Sequence, residues 1–156
     1  MAKLEFTMEI AAPPDRVFAF FAPQRMPYWY GAEMESRFEV QGGAAEFEVG
    51  LKVRITGRLG PREVSHTAVV TGHEWGRLLE WRFQDAYGVR GLQHWELEPA
   101  PTPSGSATAG TRVRLRDHYE LPGRLGKLID ALWMKRNVAR RDRLHLDRLK
   151  RLAERR

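Results

Sequence analysis

The sequence predicts an α+β fold in which a curved antiparallel sheet of about seven strands wraps around a long C-terminal helix. Two stretches carry this expectation. From Glu33 onward, about ninety residues alternate apolar and polar side chains strand after strand, with turns between them. Residues 123–156 then switch to helical spacing, with Leu125, Leu128, Ile129, Leu132 and Trp133 following Leu121-Pro122-Gly123. A sheet that must cover one long helix encloses a space, and any site is expected inside it.

The elements follow in order. Leu4, Phe6, Met8 and Ile10 alternate with Lys3, Glu5, Thr7 and Glu9, the pattern of a half-buried strand. Pro13-Pro14-Asp15 breaks it and opens a short helix through Val17, Phe18, Phe20 and Phe21, because proline is tolerated in a first helical turn and aspartate is favoured there. Pro23 ends this helix. A second short segment holds Met26, Tyr28, Trp29 and Tyr30 and closes at Gly31. Met34, Ser36, Phe38 and Val40 are expected on one strand face, and Phe47, Val49, Leu51, Val53 and Ile55 on the next. In residues 64–74, Val64, Ala68 and Val70 compete with Val69 for the inner face, and His66 and His73 fall on opposite faces by parity. Leu79, Trp81 and Phe83, then Val89, Gln93, Trp95 and Leu97, make two more strands. Residues 99–110 form a mobile loop on composition, rich in Pro, Ser, Thr, Ala and Gly. Val113, Leu115, Asp117 and Tyr119 share the inner face of the last strand.

Composition narrows the chemistry. At 156 residues the chain is read as one domain, 1–156, large enough to bury a core. It has no cysteine, which removes disulfides, thiolate metal sites and a cysteine nucleophile. No apolar run approaches a membrane span, and no apolar block resembles a leader, so a cytoplasmic location is expected. The net charge of +6 is uneven: residues 123–156 hold 12 Lys or Arg against 4 Asp or Glu. That excess suits an anionic membrane surface or an acidic partner, and equally a solvated outer helix face. No aromatic residues interleave with the late arginines, which argues against nucleic acid. An overhanging end of so long a helix also allows a homodimer.

Three segments resemble the START-related or polyketide-cyclase-like superfamily, the helix-grip fold also seen in pollen allergens. They are Ile10-Ala11-Ala12-Pro13-Pro14-Asp15-Arg16-Val17-Phe18; Trp95-Glu96-Leu97-Glu98-Pro99 with Gly110-Thr111-Arg112-Val113; and Tyr119-Glu120-Leu121-Pro122-Gly123 with Leu125 to Asp130 and Leu149 to Leu152. The resemblance spans nearly the whole chain through the order and spacing of loose motifs. It implies a sheet gripping the closing helix over an apolar cavity. It also implies a lipid, polyketide, steroid, quinone or other polycyclic ligand, with cyclisation or dehydration in some members. It does not choose among these.

Polar residues on inward faces are the candidate site. Asp117 and Tyr119 lie beside Val113 and Leu115, and Gln93 beside Trp95 and Leu97, so all three are placed to orient a ligand. Desolvation of Asp117 would suit general acid or base work; pairing with an arginine or contact with water at the strand end is the alternative. His66 reaches the cavity if Val64 and Ala68 face inward, and Asp117, Tyr119 and His66 are the catalytic candidates. Trp29, Tyr30, Phe47, Trp81, Trp95 and Trp133 are candidate wall residues, with Tyr28, Trp29 and Tyr30 at the mouth; aromatic rings also simply fill core. Nothing has metal-ligand spacing, nucleophile elbow or phosphate loop, so neither metal nor cofactor is expected. The expected function is binding of a hydrophobic small molecule. A cyclase or dehydratase is the enzymatic alternative, and a lipid or quinone carrier that meets a membrane through the basic helix is the third.

Overall fold

The computed structural model describes residues 2–101, 110–123, 128 and 133–155, the side chain of Leu59 excepted. Strand β1 (Ala2–Ile10) leads into helix α1 (Pro14–Phe18) and three single 3-10 turns at Ala19–Phe21, Met26–Tyr28 and Ala32–Met34. Strands β2 (Arg37–Val40), β3 (Lys52–Leu59), β4 (Arg62–Glu74), β5 (Leu78–Asp85), β6 (Arg90–Ala100) and β7 (Gly110–Glu120) follow, and helix α2 (Lys135–Glu154) closes the chain. They form one antiparallel sheet in the order β1-β7-β6-β5-β4-β3-β2. The first strand thus pairs with the last, and the intervening strands run as a meander, as expected of short turn-linked connections.

Cross-strand register arranges the inner face in rows. Leu4, Asp117, Gln93, Trp81 and Val70 are direct neighbours across β1, β7, β6, β5 and β4. The adjacent row is Ala2, Tyr119, Gly91, Phe83 and Ala68. Helix α2 lies across these rows and buries Val138, Asp142, His145, Leu146, Leu149 and Ala153, positions spaced by three and four. At 1.5 Å per residue its twenty residues span about 30 Å, the breadth of a small domain.

The structure departs from the sequence expectations in three places. Val49 is exposed, because 44–51 is irregular and Gly50, at φ +90°, turns the chain before β3 begins. Met34 sits in a 3-10 turn, and Glu35 at φ 51° re-aims the chain into β2. A bulge between Val70 and Gly72 inserts one residue into β4, so His73 pairs with Leu79 and stacks on Phe18 at 5.8 Å. His66 and His73 therefore share the inner face despite their odd separation. The closing helix is described from Lys135, and the expected helical start at 124–132, like most of the expected loop at 99–110, lies outside the described residues apart from Leu128.

The inner face divides into two apolar clusters. The larger gathers α1 and its turns (Val17, Phe18, Phe21, Met26, Trp29) over Trp95, Leu97, Leu79 and Trp81, with Leu146, Leu149 and Ala153 of α2. The smaller joins Ala2, Leu4, Tyr119 and Val138, with Phe83, Val89 and Met134 against it. The aromatic turns after β1 fill the first half and leave the second open.

Gly91 shapes that open half. A Cβ there would stand 2.3 Å from the His118 carbonyl oxygen and 2.5 Å from the Phe83 ring. Its absence lets Phe83 lie down against the sheet instead of standing into the space above. Gly91→Ala is expected to destabilise the fold by about 2–3 kcal/mol, the range for overpacking against atoms that cannot retreat. Urea unfolding tests this, and a change under 0.5 kcal/mol, the ordinary surface value, would contradict it.

Candidate functional site

A layer of hydrogen-bonded polar side chains separates the two apolar clusters. At its centre is Gln93. Its Oε1 accepts from the Tyr30 hydroxyl at 2.8 Å and from Trp81 Nε1 at 3.0 Å, and its Nε2 donates to Asp117 Oδ2 at 3.2 Å. Row geometry explains the meeting, since Trp81, Gln93 and Asp117 are direct cross-strand neighbours. Tyr30 arrives from the other side, on the turn that ends at Gly31. Gly31 holds φ +64°, and its N–H donates to His145 Nε2 of α2 at 3.0 Å, while Tyr30 stacks on the His145 ring at 4.6 Å. Because Nε2 accepts there, the ring proton lies on Nδ1. Glu33, at 3.7 Å from Nε2, is held instead by Arg148. Burial pushes the His145 pKa down, which fits a neutral ring.

Asp142 of α2 completes the layer. It is fully buried, faces Asp117, and no N–H or hydroxyl donor among the described residues reaches either of its oxygens. Two carboxylates cannot both stay ionised at this distance from water, so one proton is shared between them. Asp117 Oδ2 accepts from Gln93 Nε2, while Asp117 Oδ1 and both Asp142 oxygens have no other partner among the described residues. Burial first, then the neighbouring Asp117 charge, raises the Asp142 pKa to about 9, so Asp142 carries the proton at neutral pH and donates it. Arg141, one residue before, acts in the opposite direction through its positive charge.

Above this layer lies a cavity of about 120 Å³. Its walls are Phe83, Val89, Met134 and Val138, and its polar lining is Tyr30, His66, Asp85, Gln93, Asp117, Tyr119 and Arg141. Arg141, His66, Tyr30 and Asp85 also border a neighbouring hollow of about 250 Å³, which opens past Tyr87, Met34 and Ser65. His66 projects into both. Burial, with the Arg141 charge in second place, lowers its pKa to about 4, so the imidazole is neutral, and its Nε2 has no partner among the described residues. Asp85 is occupied by its own turn, accepting from the Tyr87 and Val89 amides at 2.8 and 2.9 Å.

The expected site residues are therefore distributed as follows. Tyr30, His66, Gln93, Asp117 and Tyr119 come together at the cavity. Trp81 stands one step back, bonded to Gln93. Trp95, Trp29 and Phe47 are buried away from it: Trp95 packs on Trp81 at 4.9 Å, Trp29 gives its Nε1 to the Phe20 carbonyl, and Phe47 backs Trp81 at 6.0 Å. α1 and its turns cap the rows that hold these rings. Trp133 is 63% exposed and forms no wall, and Tyr28, expected at the mouth, lies on the surface outside the lining of either cavity. Asp142, Arg141, Met134 and Val138 were not singled out from the sequence. Asp142 and Val138 do sit on the apolar stripe that runs through Leu146 and Leu149, and that position is the signal.

Among the described residues, no three His, Asp or Glu side chains converge as metal ligands, and no helix is long and apolar enough to cross a membrane. Residues 1–154 match the family model described as polyketide cyclase / dehydrase and lipid transport. The chain belongs to this family. Membership supports hydrophobic-ligand binding as the general class of function. No curated protein matches the chain in sequence. Solved structures share its fold at low identity. Protein CV1439 from Chromobacterium violaceum is 16% identical with TM-score 0.71, over 100% of both chains. Ara h 8.0201 is 11% identical with TM-score 0.72, over 97% of each chain. DynU16, from the dynemicin biosynthetic locus, is 21% identical with TM-score 0.60, over 97% of this chain and 47% of its own.

The shared proton has a consequence for stability. Between the ordinary carboxyl pKa of 3.8 and about 9, unfolded Asp142 is ionised while folded Asp142 keeps its proton. The native state then binds more protons than the unfolded one, so this group's contribution to stability falls as pH rises through that window. Asp142→Asn keeps a donor toward Asp117 and removes the cost. The variant is expected to match the wild type near pH 4 and exceed it by on the order of 1–3 kcal/mol near pH 8. Urea titrations at both pH values check this; a variant less stable at pH 8 contradicts the shared proton.

Proposed function

We propose that the protein binds a small, largely apolar molecule with one hydrogen-bonding polar end in the cavity between the sheet and α2. The observation that carries this reading is the asymmetric cavity itself. Phe83, Val89, Met134 and Val138 supply apolar surface on one side, and the unpartnered Nε2 of His66 shares the other with Asp117, Tyr119 and Arg141. Ligand pockets combine an apolar wall with a few fixed polar groups in this way. Volume limits the occupant. A dry cavity of roughly 150 Å³ takes one benzene ring, so the 120 Å³ inner space suits about one ring or a short chain, and the 250 Å³ hollow beside Arg141 takes the remainder. This favours a molecule of one to a few rings over a two-chain lipid. The reading places the protein in the cytoplasm.

The carboxyl pair favours a second reading, proton transfer to a bound molecule. Asp117 lines the cavity and is hydrogen-bonded to a fixed amide, and Asp142 behind it holds a proton at neutral pH. A cavity carboxyl backed by a second carboxyl that holds a proton is an arrangement general acid and base catalysis can use. In a dehydration, Asp117 would take the proton from carbon and return one to the departing hydroxyl, which leaves as water, with Asp142 behind it holding the second proton of the pair.

Native mass spectrometry of the purified protein, followed by denaturing extraction, tests the binding reading. A stoichiometric apolar molecule is expected, lost when Val138→Trp fills the cavity while the thermal transition persists. Equal retention by Val138→Trp would place the molecule elsewhere. If the extracted compound is turned over, Asp117→Asn is expected to lower kcat by about 100-fold or more, as removal of a general acid or base does, without releasing the molecule.

A further inference from the structure

We propose that the outward side of the first three turns of α2, with Trp133 just before it, docks on an anionic lipid surface. Trp133, Arg136, Arg140 and Leu144 recur at spacings of three and four and so form one stripe. Trp133 is 63% exposed and Leu144 36% exposed, and Lys135, Arg136, Arg140 and Arg143 are exposed around them. The stripe borders a surface hollow of about 670 Å³ between α2 and Leu4 of β1, where Asp147 is the single acid among the lining residues.

Charge complementarity identifies the partner. Elsewhere on α2, Arg148 is bound to Glu33, and Lys150 to Glu154 and the Glu9 carbonyl. Lys135, Arg136 and Arg140 have no ion pair among the described residues, and Arg143 lies over the Phe6 ring at 5.5 Å. Unpaired basic groups around an exposed indole suit the headgroup region, where the ring sits at the interface and long basic side chains reach the phosphates. A lipid surface is the fitting occupant because one helical stripe joins an exposed indole to several basic side chains, the pairing that interfacial helices present to anionic headgroups.

The same turns face both ways. Met134, Val138 and Arg141 line the cavities from the inner side of the segment that carries Trp133, Arg136 and Arg140 on its outer side. Docking would bring the cavity wall to the lipid and give an apolar ligand a route that avoids water. That last step rests on the binding reading above; the docking itself does not.

Sedimentation with vesicles tests it. The wild type is expected to bind phosphatidylcholine vesicles containing about 30% phosphatidylglycerol and not pure phosphatidylcholine, with binding lost on raising salt from about 0.05 to 0.5 M. Arg136→Glu with Arg140→Glu is expected to weaken binding at least about tenfold, and Trp133→Ala several-fold. Lys52→Glu with Arg54→Glu makes the same change in net charge on the far strand β3 and is expected to bind as the wild type does. Absence of binding at low salt, equal loss in both double variants, or binding to polyglutamate without binding to vesicles would overturn the proposal. Retention of a cavity molecule by the Arg136→Glu, Arg140→Glu variant, read by native mass spectrometry, separates failure of docking from failure of the binding reading.

Discussion

One side-chain amide fixes the geometry on which the rest of the interior depends. Trp81 Nε1 can only donate, so the atom facing it must be Gln93 Oε1. That choice turns Nε2 toward Asp117 Oδ2, which must then accept. Asp142 of the closing helix then faces the Asp117 carboxyl that this bond holds. A donor-only indole on β5 thus sets the amide that fixes Asp117, through a chain joining the Tyr30 turn, β5, β6 and β7. Each buried group in this chain would cost about 1–3 kcal/mol if left unpaired, so the elements that bear them hold one another in register.

The amide also explains why the interior has two unlike halves. On one side of the polar layer, Phe21 and Trp29 from the turns after α1 pack on Trp95 with centroids 6.1 and 6.4 Å apart, Trp95 packs on Trp81 at 4.9 Å, and little space remains. On the other side the sheet offers Gly91 between Tyr119 and Phe83, and α2 offers Val138, a short side chain. Val138 packs in one cluster with Tyr119 and Phe83, but these side chains do not fill the whole space, and a cavity of about 120 Å³ remains beside them. A polar floor beneath it is tolerated because Tyr30, Trp81, Gln93 and Asp117 pair with one another before any ligand arrives.

Much of the fold was legible because period-two and period-3.6 patterns are local. The inner face of β7, read as Val113, Leu115, Asp117 and Tyr119, is buried throughout. Local pattern failed where a backbone irregularity intervened. The bulge after Val70 reversed the parity that separates His66 from His73, and a bulge leaves no reliable mark in side-chain alternation. The site was half legible. Gln93, Asp117 and Tyr119 stood out as polar residues on apolar faces, and Tyr30 and His66 fall at the cavity with them. Asp142 did not stand out, because one of four acids among twelve basic residues looks like a surface charge. Trp133 misled for the converse reason: a tryptophan suggests burial, and here it faces outward.

These mismatches share a physical logic. A helix held only by its apolar stripe would place leucine where Asp142 stands, since Val138, Leu146 and Leu149 already face the sheet and an apolar filler removes the cost of burying a carboxyl. An exposed helix face serving only solubility has no need for Trp133 beside arginines that have no ion pair among the described residues. Departures from local consistency of this kind concentrate where a protein does something besides fold. Here they fall on opposite sides of a single helical segment, one against the cavity and one against solvent. The structure thus brings the two parts of the functional argument to one place, the first turns of α2.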